Sequence, residues 1–191
     1  TRAHIYNPTT ELFRFGGVDS LLLLSSDQIL LARVLPAFDG AFVHAAGLVL
    51  NGCGLLFAGA SEAGKSTITT LLRGKAKILC DDRMIIRKSD DGFRIYGTWS
   101  HGEVPDVSPD SAPFRALFFL RQARENRAER MTDPKAVIKN LLPRFVRPLL
   151  TAEWWERILS LAEDIAGRVP CYDLYFDKSG RIVPVLEELI K

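Results

Sequence analysis

The chain has 191 residues, 47% of them hydrophobic, which suits one globular domain with a substantial core. Lys and Arg number 25 against 23 Asp and Glu, a formal charge of +2, so no polyelectrolyte face calls for nucleic acid or an anionic membrane. Three cysteines, Cys53, Cys80 and Cys171, form no CxxC or Cys/His cluster, which argues against zinc and for a reducing, cytoplasmic setting.

Residues 2–7 and 11–15 read as short strands around the turn "NPTT", and 25–35 as a short helix. Residues 1–40 are therefore expected to form a small β/α segment packed on a main unit over 41–191. "AFVHAAGLVL" and "GLLFAG" are apolar runs joined by "NGCG", and Asn-Gly between such runs predicts a hairpin of strands near 42–50 and 54–58. This apolar stretch is interrupted by Asn51 and glycines, so it predicts no membrane span, and no signal peptide is read. A helix is expected from about Lys65 to Arg73. "AKILC" reads as a strand ending at Asp81-Asp82, and "RMIIRK" and "FRIYG" flank the turn "SDDG". Residues 100–113 read as loop and 114–120 as a buried strand. Asp133-Pro134 predicts a helix start, with the helix stopping before Pro143. Trp154, Ile158, Leu161 and Ile165 recur at helical spacing over 151–166, and Gly167 and Pro170 are expected to end that helix. "CYDLYF" reads as a late strand and "VPVLEELIK" as a last helix.

The stretch "GASEAGKST" fits GxxxxGK[ST] at every required position, with an apolar strand before it and a helical pattern after it. Glycines at the ends of such a loop let successive N–H groups turn inward onto phosphate oxygens, and the following helix adds its N-terminal dipole. The candidate nucleotide-binding residues are Gly59, Ala60, Ser61, Glu62, Ala63, Gly64, Lys65, Ser66 and Thr67. Lys65 would reach the β- and γ-phosphates, and Ser66 would put its hydroxyl on Mg²⁺. The donor is ATP or GTP; these residues do not choose between them.

Asp81 and Asp82 end the next strand, where ligands of open α/β sheets gather. One carboxylate there can hold Mg²⁺, and a second can take the proton of an attacking hydroxyl. The plainer reading is a solvated strand end. His44 lies on the strand expected to pair with the loop-bearing strand; taken alone, it reads as a satisfied core histidine.

The arrangement "VHAAGLVLNGCGLLFAGASEAGKST…ILCDDRMIIRKSDDGFRIYGT" resembles the catalytic domain of HPr kinase/phosphorylase and its relatives, best over roughly 42–104. The resemblance implies an α/β, P-loop domain of the HPr-kinase or phosphoenolpyruvate-carboxykinase-like type, with a mixed sheet and β-hairpins flanking the P-loop unit. It also implies that His44 lies near the transferred phosphate, that one of Asp81 and Asp82 is a base toward a serine hydroxyl, and that Lys65 and Ser66 serve nucleotide and Mg²⁺. The true HPr enzyme carries a glutamate on the strand after the acidic pair. Here that strand reads "FRIYGTWSHGE", and Glu103, from the loop, is the candidate substitute as a metal ligand. The ending "YDLYFDKSGRIVPVLEELI" looks more like the family's divergent branch, whose members accompany peptide-modification gene clusters and include kinases of peptide serine. Relatives form hexamers or smaller rings, so a homo-oligomer is an implied option.

Arg121, Arg124, Arg127 and Arg130 recur every third residue; if helical, they form one basic face that clamps phosphates or meets an acidic partner. With Lys135, Lys139, Arg144 and Arg147 they outnumber Glu125, Glu129 and Asp133. No aromatics interleave in the manner of a base-stacking surface. Trp154 and Trp155 read as core, and Trp99 and His101 as loop residues near the nucleotide. The expected activity is Mg²⁺-dependent phosphoryl transfer from ATP to a serine hydroxyl of a protein or peptide. The alternatives are a small-molecule hydroxyl kinase and a nucleotide-binding regulatory module with little turnover.

Overall fold

A computed structural model describes residues 26–148 and 151–190. The two strands expected in the first fifteen residues lie outside that range. The described residues open with helix α1, Ser26–Val34, and a 3-10 turn, Leu35–Phe38. Strands β1, Gly40–Leu50, and β2, Cys53–Ala58, follow as the expected hairpin. Asn51 and Gly52 take φ of 51° and 79°, the pair of positive values that a two-residue turn between twisted strands requires.

Helix α2, Lys65–Leu72, leads to β3, Lys77–Cys80, and to a second hairpin of β4, Arg83–Ser89, and β5, Gly92–Tyr96. The long β6, Ser111–Gln122, starts earlier than its apolar run suggests. After it come β7, Arg127–Arg130, helix α3, Pro134–Leu141, and a 3-10 turn, Leu142–Arg144. Asp133 caps α3 by accepting from the Lys135 amide at 3.0 Å. Helix α4, Ala152–Arg168, strand β8, Cys171–Phe176, and helix α5, Ile182–Leu189, complete the order. Gly167 does not end α4; the helix continues to Arg168, and the Val169 amide still reaches the Ile165 carbonyl at 2.8 Å.

The sheet is mixed. β1 pairs antiparallel with β2, β3 and β4, whereas β6 runs parallel to both β2 and β8. β1 and β6 each continue from one part of the sheet into another, so the pairings β2–β1–β4–β5–β6 close back on β2. Side chains alternate along the central strands between two cores. Leu56 and Leu117 face Leu141, Trp154, Ile158 and Ile165 of α3 and α4. Leu55, Phe57 and Phe118 face Ile68, Leu72, Ile182 and Leu186 of α2 and α5. Strands covered on both faces read as continuous apolar runs, which is why "GLLFA" and "ALFFL" show no polar alternation. The α1 segment sits on this unit through Ala32, Leu35 and Phe42, and the Trp154 indole donates to the Ala32 carbonyl at 2.9 Å.

The Arg121–Arg130 stretch is not a helix. Arg121 ends β6, Arg124 lies in the turn, and Arg127 and Arg130 are on β7, so the four do not share one face. Arg127 lies 4.1 Å from the Tyr175 ring centroid and Arg130 lies 5.1 Å from that of Tyr172; each ring belongs to the in-register neighbour on β8. No helix of the described residues is long and apolar enough to cross a membrane.

Candidate functional site

The loop Gly59–Gly64 joins the buried strand β2 to α2. Gly64 has φ of 106°, and a Cβ there would also lie 2.8 Å from the Phe176 ring, so both conformation and space require glycine. The loop is braced from within: the Ala63 amide reaches the Ala60 carbonyl at 3.2 Å, and the Gln122 side chain donates to the Glu62 carbonyl at 2.6 Å. Lys65 is 9% exposed, and its ammonium folds back onto the Ala60 carbonyl at 3.2 Å. Burial pushes the Lys65 ammonium below its usual range; Asp82 and Asp81 oppose that shift, while Arg144 and Arg83 add to it.

The two adjacent carboxylates behave differently because successive residues at a strand end face opposite ways. Asp81 is 1% exposed. It accepts from the Gly102 amide at 2.5 Å, the Val104 amide at 3.0 Å and the Ser66 hydroxyl at 3.1 Å. It thereby ties the first turn of α2 to the 98–104 segment. Asp82 is only half-buried and faces the other wall. Its Oδ1 lies 3.2 Å from His44 Nε2 and accepts from Arg83 at 2.7 Å, and Ser100 donates to its Oδ2 at 3.3 Å. Burial alone would raise the Asp82 carboxyl, but the His44 hydrogen bond, the Arg83 guanidinium and the Ser100 hydroxyl outweigh it and hold the group below the usual carboxylate range.

His44, Ser61, Glu62, Gly64, Lys65, Ser66, Thr67, Asp81, Asp82 and Glu103 line one cleft of about 470 Å³. Gly59, Ala60 and Ala63 lie in the loop that forms its floor. His44 is thus a wall of this cleft and not a core histidine. Trp99 is not on it. Its indole donates to Asp27 at 3.0 Å, and its ring lines a neighbouring apolar cavity with Ile85, Tyr96 and Val107. His101 is exposed and lies 3.1 Å from the Gly102 carbonyl. Among the described residues no three His, Cys, Asp or Glu side chains gather into a metal-binding group. The candidate cation donors are the oxygens of Ser66, Asp81 and Asp82, with Glu103 on the same cleft.

Sequence reasoning missed the clamp on the acidic pair. Cys80 Sγ accepts from the Asp82 and Arg83 amides at 3.3 Å each and lies 2.6 Å from the Ser100 carbonyl. The buried Thr98 hydroxyl donates to the Arg83 carbonyl at 2.5 Å. These contacts fix the loop whose amides hold Asp81, and no local pattern in "GTWSHGE" announces them.

The sequence matches the family described as SynChlorMet cassette protein ScmC over residues 19–191. The chain belongs to the ScmC family. A search of curated proteins gave no match for this ScmC-family chain. Among solved structures it is similar to the Hpr(Ser) kinase/phosphatase from Coxiella burnetii, at 12% identity over 78% of this chain and 87% of that chain, with a TM-score of 0.43. At that distance the neighbour's activity is that protein's own, and the functional reading of the ScmC-family chain has to come from the residues of its cleft.

Proposed function

We propose that this protein is an ATP-dependent phosphotransferase that moves the γ-phosphoryl group to a hydroxyl, with a serine of a protein or peptide as acceptor. One observation carries the reading. The Ser66 hydroxyl at the start of α2 touches Asp81 at 3.1 Å, and the Asp82–His44 pair forms the opposite wall of the same cleft. Phosphoryl transfer needs such a layout, because its catalysis is mainly positioning and electrostatics around a loose transition state.

The loop Gly59–Gly64 and the first turn of α2 would receive the phosphates, with Lys65 moving from the Ala60 carbonyl to their charge. Ser66 and Asp81 form an all-oxygen donor set that suits Mg²⁺, which when bound would neutralise charge on the β- and γ-phosphates. Asp82 is the base. Its depressed pKa keeps it ionised at neutral pH, and its Oδ2 is held only by the long Ser100 contact. His44 and Arg83 fix Oδ1 and so orient the carboxylate. The acceptor hydroxyl passes its proton to Asp82 as its oxygen bonds to the γ-phosphorus. The bond from phosphorus to the β–γ bridging oxygen breaks, and ADP leaves. His44, donating to Asp82, limits the build-up of charge on that wall before transfer.

Phosphorus NMR of Mg²⁺-ATP with the purified protein and fractions of source-cell extract tests the reading. A new phosphomonoester signal is expected, in a protein or peptide fraction, lost in Lys65→Ala and in Asp82→Asn, with Asp82→Asn still binding nucleotide. Nucleotide binding with no new ester in any fraction would refute the phosphotransferase and leave a binding module. A signal in the low-molecular-mass fraction would instead identify a small-molecule kinase.

A further inference from the structure

Strand β2 leaves the side of β1 after Ala58, whose partner is Ala45. The edge of β1 beyond that point is taken by a different segment. Phe145 bridges Val43 in antiparallel sense, and the Val146 amide donates to the Phe42 carbonyl at 2.8 Å. The residue before that bridge, Arg144, closes the 3-10 turn Leu142–Arg144 and lies toward the His44 end of the bridge, where β2 turns into the loop Gly59–Gly64. On the other side of His44, β4 places Arg83 in register. Residues directly opposite on neighbouring strands share a face. Arg83 therefore shares a face with His44 on one side, and the chain at Arg144 approaches the other edge of β1 next to His44.

Arg83 and Arg144 each bury an Nε with no hydrogen-bond partner among the described residues. Arg83 is paired with Asp82 and Arg121 with Asp173, but among the described ion pairs none involves Arg144. Burial, and then the neighbouring Arg121, push its guanidinium below the usual range, and Arg144 in turn presses down Lys65. A partly buried cation surrounded by cations and lacking a counter-ion is costly unless an anion joins it. Its place beside His44, and not along α2, sets it at the end of the phosphate chain where transfer occurs.

We infer that Arg144 is a contact to the terminal phosphate of the bound nucleotide, so that one guanidinium separates nucleoside triphosphate from diphosphate. The inference rests on the nucleotide reading above. Arg144 favours binding of the substrate and releases its hold once the γ-phosphoryl group has moved to the acceptor. It also meets the negative charge on the equatorial oxygens during transfer, as a bidentate donor that lysine cannot replace.

Fluorescence titration with N-methylanthraniloyl ATP and ADP, each with Mg²⁺, tests this without turnover. A charge-assisted hydrogen bond is worth on the order of a 10- to 100-fold change in affinity. Arg144→Ala and Arg144→Gln are expected to weaken the ATP analogue by such a factor and the ADP analogue less than about 2-fold. Arg144→Lys should recover part of the loss, and Arg124→Ala, an exposed charge in the β6–β7 turn, should change neither. If Arg144→Ala lowers the thermal midpoint, Arg144→Gln decides, because it keeps length and a donor. Equal loss for both analogues, or no loss for either, in Arg144→Gln would overturn the terminal-phosphate assignment while leaving the nucleotide site standing. A wild-type protein that binds neither analogue would overturn the nucleotide reading, and this inference with it.

Discussion

Asparagine substitutions at the two neighbouring acids should do opposite things. Asp81 accepts two backbone N–H groups and one hydroxyl, on both of its oxygens, at 1% exposure. An asparagine offers one oxygen and one NH₂, so whichever way it flips it turns a donor toward a donor. At least one buried N–H, from Gly102 or Val104, loses its partner at a cost of about 1–3 kcal/mol, and loss of the charge in the remaining bonds adds about 1 kcal/mol. Asp81→Asn should therefore destabilise by about 2–4 kcal/mol, a fall in midpoint of roughly 4–16 °C for a chain of this size. Asp82 is half-exposed, and an asparagine oxygen can still accept from Arg83 or His44, so Asp82→Asn should cost less than about 1 kcal/mol. Its loss should appear in phosphoryl transfer instead. Urea unfolding in EDTA, which removes any metal contribution, compares the two directly. Equal destabilisation, or a larger effect at Asp82, would refute the division of roles between them.

Three further outcomes follow from the structure. A Cβ on Gly97 would lie 1.9 Å from the Ser108 carbonyl oxygen and 2.8 Å from that of Leu79, both backbone atoms, so Gly97→Ala must break the Ser108–Leu79 and Gly97–Asp110 backbone bonds. A loss of about 2–4 kcal/mol by urea unfolding is expected, against no loss at Gly167, a helical position without positive φ where a Cβ meets open space. Asp82 has its folded pKa depressed, so its contribution to stability is present above the unfolded value near ~4 and is lost as pH falls through the folded one. The Asp82→Asn variant should then show a flatter stability curve below about pH 4 than the parent. Burial raises the Cys80 thiol and pushes the Cys171 thiol up to about 12, while Cys53 is only half-buried. Ellman's reagent at pH 8 should label Cys53 alone in the native protein, and all three thiols in guanidinium.

Much of the path of the chain was legible because its signals are local. Asn51-Gly52 demands positive φ at two successive positions and so announced its hairpin. Asp133 followed by Pro134 announced the start of α3. Gly59 and Gly64 marked the loop between β2 and α2, because backbone reversal restricts residue types there. The failures came where a local period had more than one cause. Arginines at every third residue fit a helical face, but here they span a strand end, a turn and a second strand, and Arg127 and Arg130 are set by the tyrosines of β8. Gly167 reads as a stop, yet nothing obstructs the backbone there and the helix runs one residue further. Adjacent Asp81 and Asp82 are indistinguishable in sequence, since only the fold decides which one meets the amides of Gly102 and Val104. The bridge Val43–Phe145, which brings the chain at Arg144 to the edge of β1, was invisible for the same reason, since its two segments are far apart in the chain.

The charges of the cleft connect these placements. Asp81 is held by two loop amides and by Ser66, and Asp82 is shared between Arg83 and His44. Asp173 satisfies Arg121, which leaves Lys65 and Arg144 with no carboxylate of their own among the described ion pairs. Lys65 rests on a neutral carbonyl, and its ammonium is depressed by burial and by the two arginines. Under the proposed reading, a multiply charged anion that reaches both cations at once relieves that arrangement. The anion must also extend from the start of α2 to His44, which suits a chain of phosphates better than a single carboxylate or sulfate. Under the proposed function, a fold that spends its nearby carboxylates on bracing the walls and leaves Lys65 and Arg144 without one suits a polyanion that gives up one group and departs with less charge than it brought.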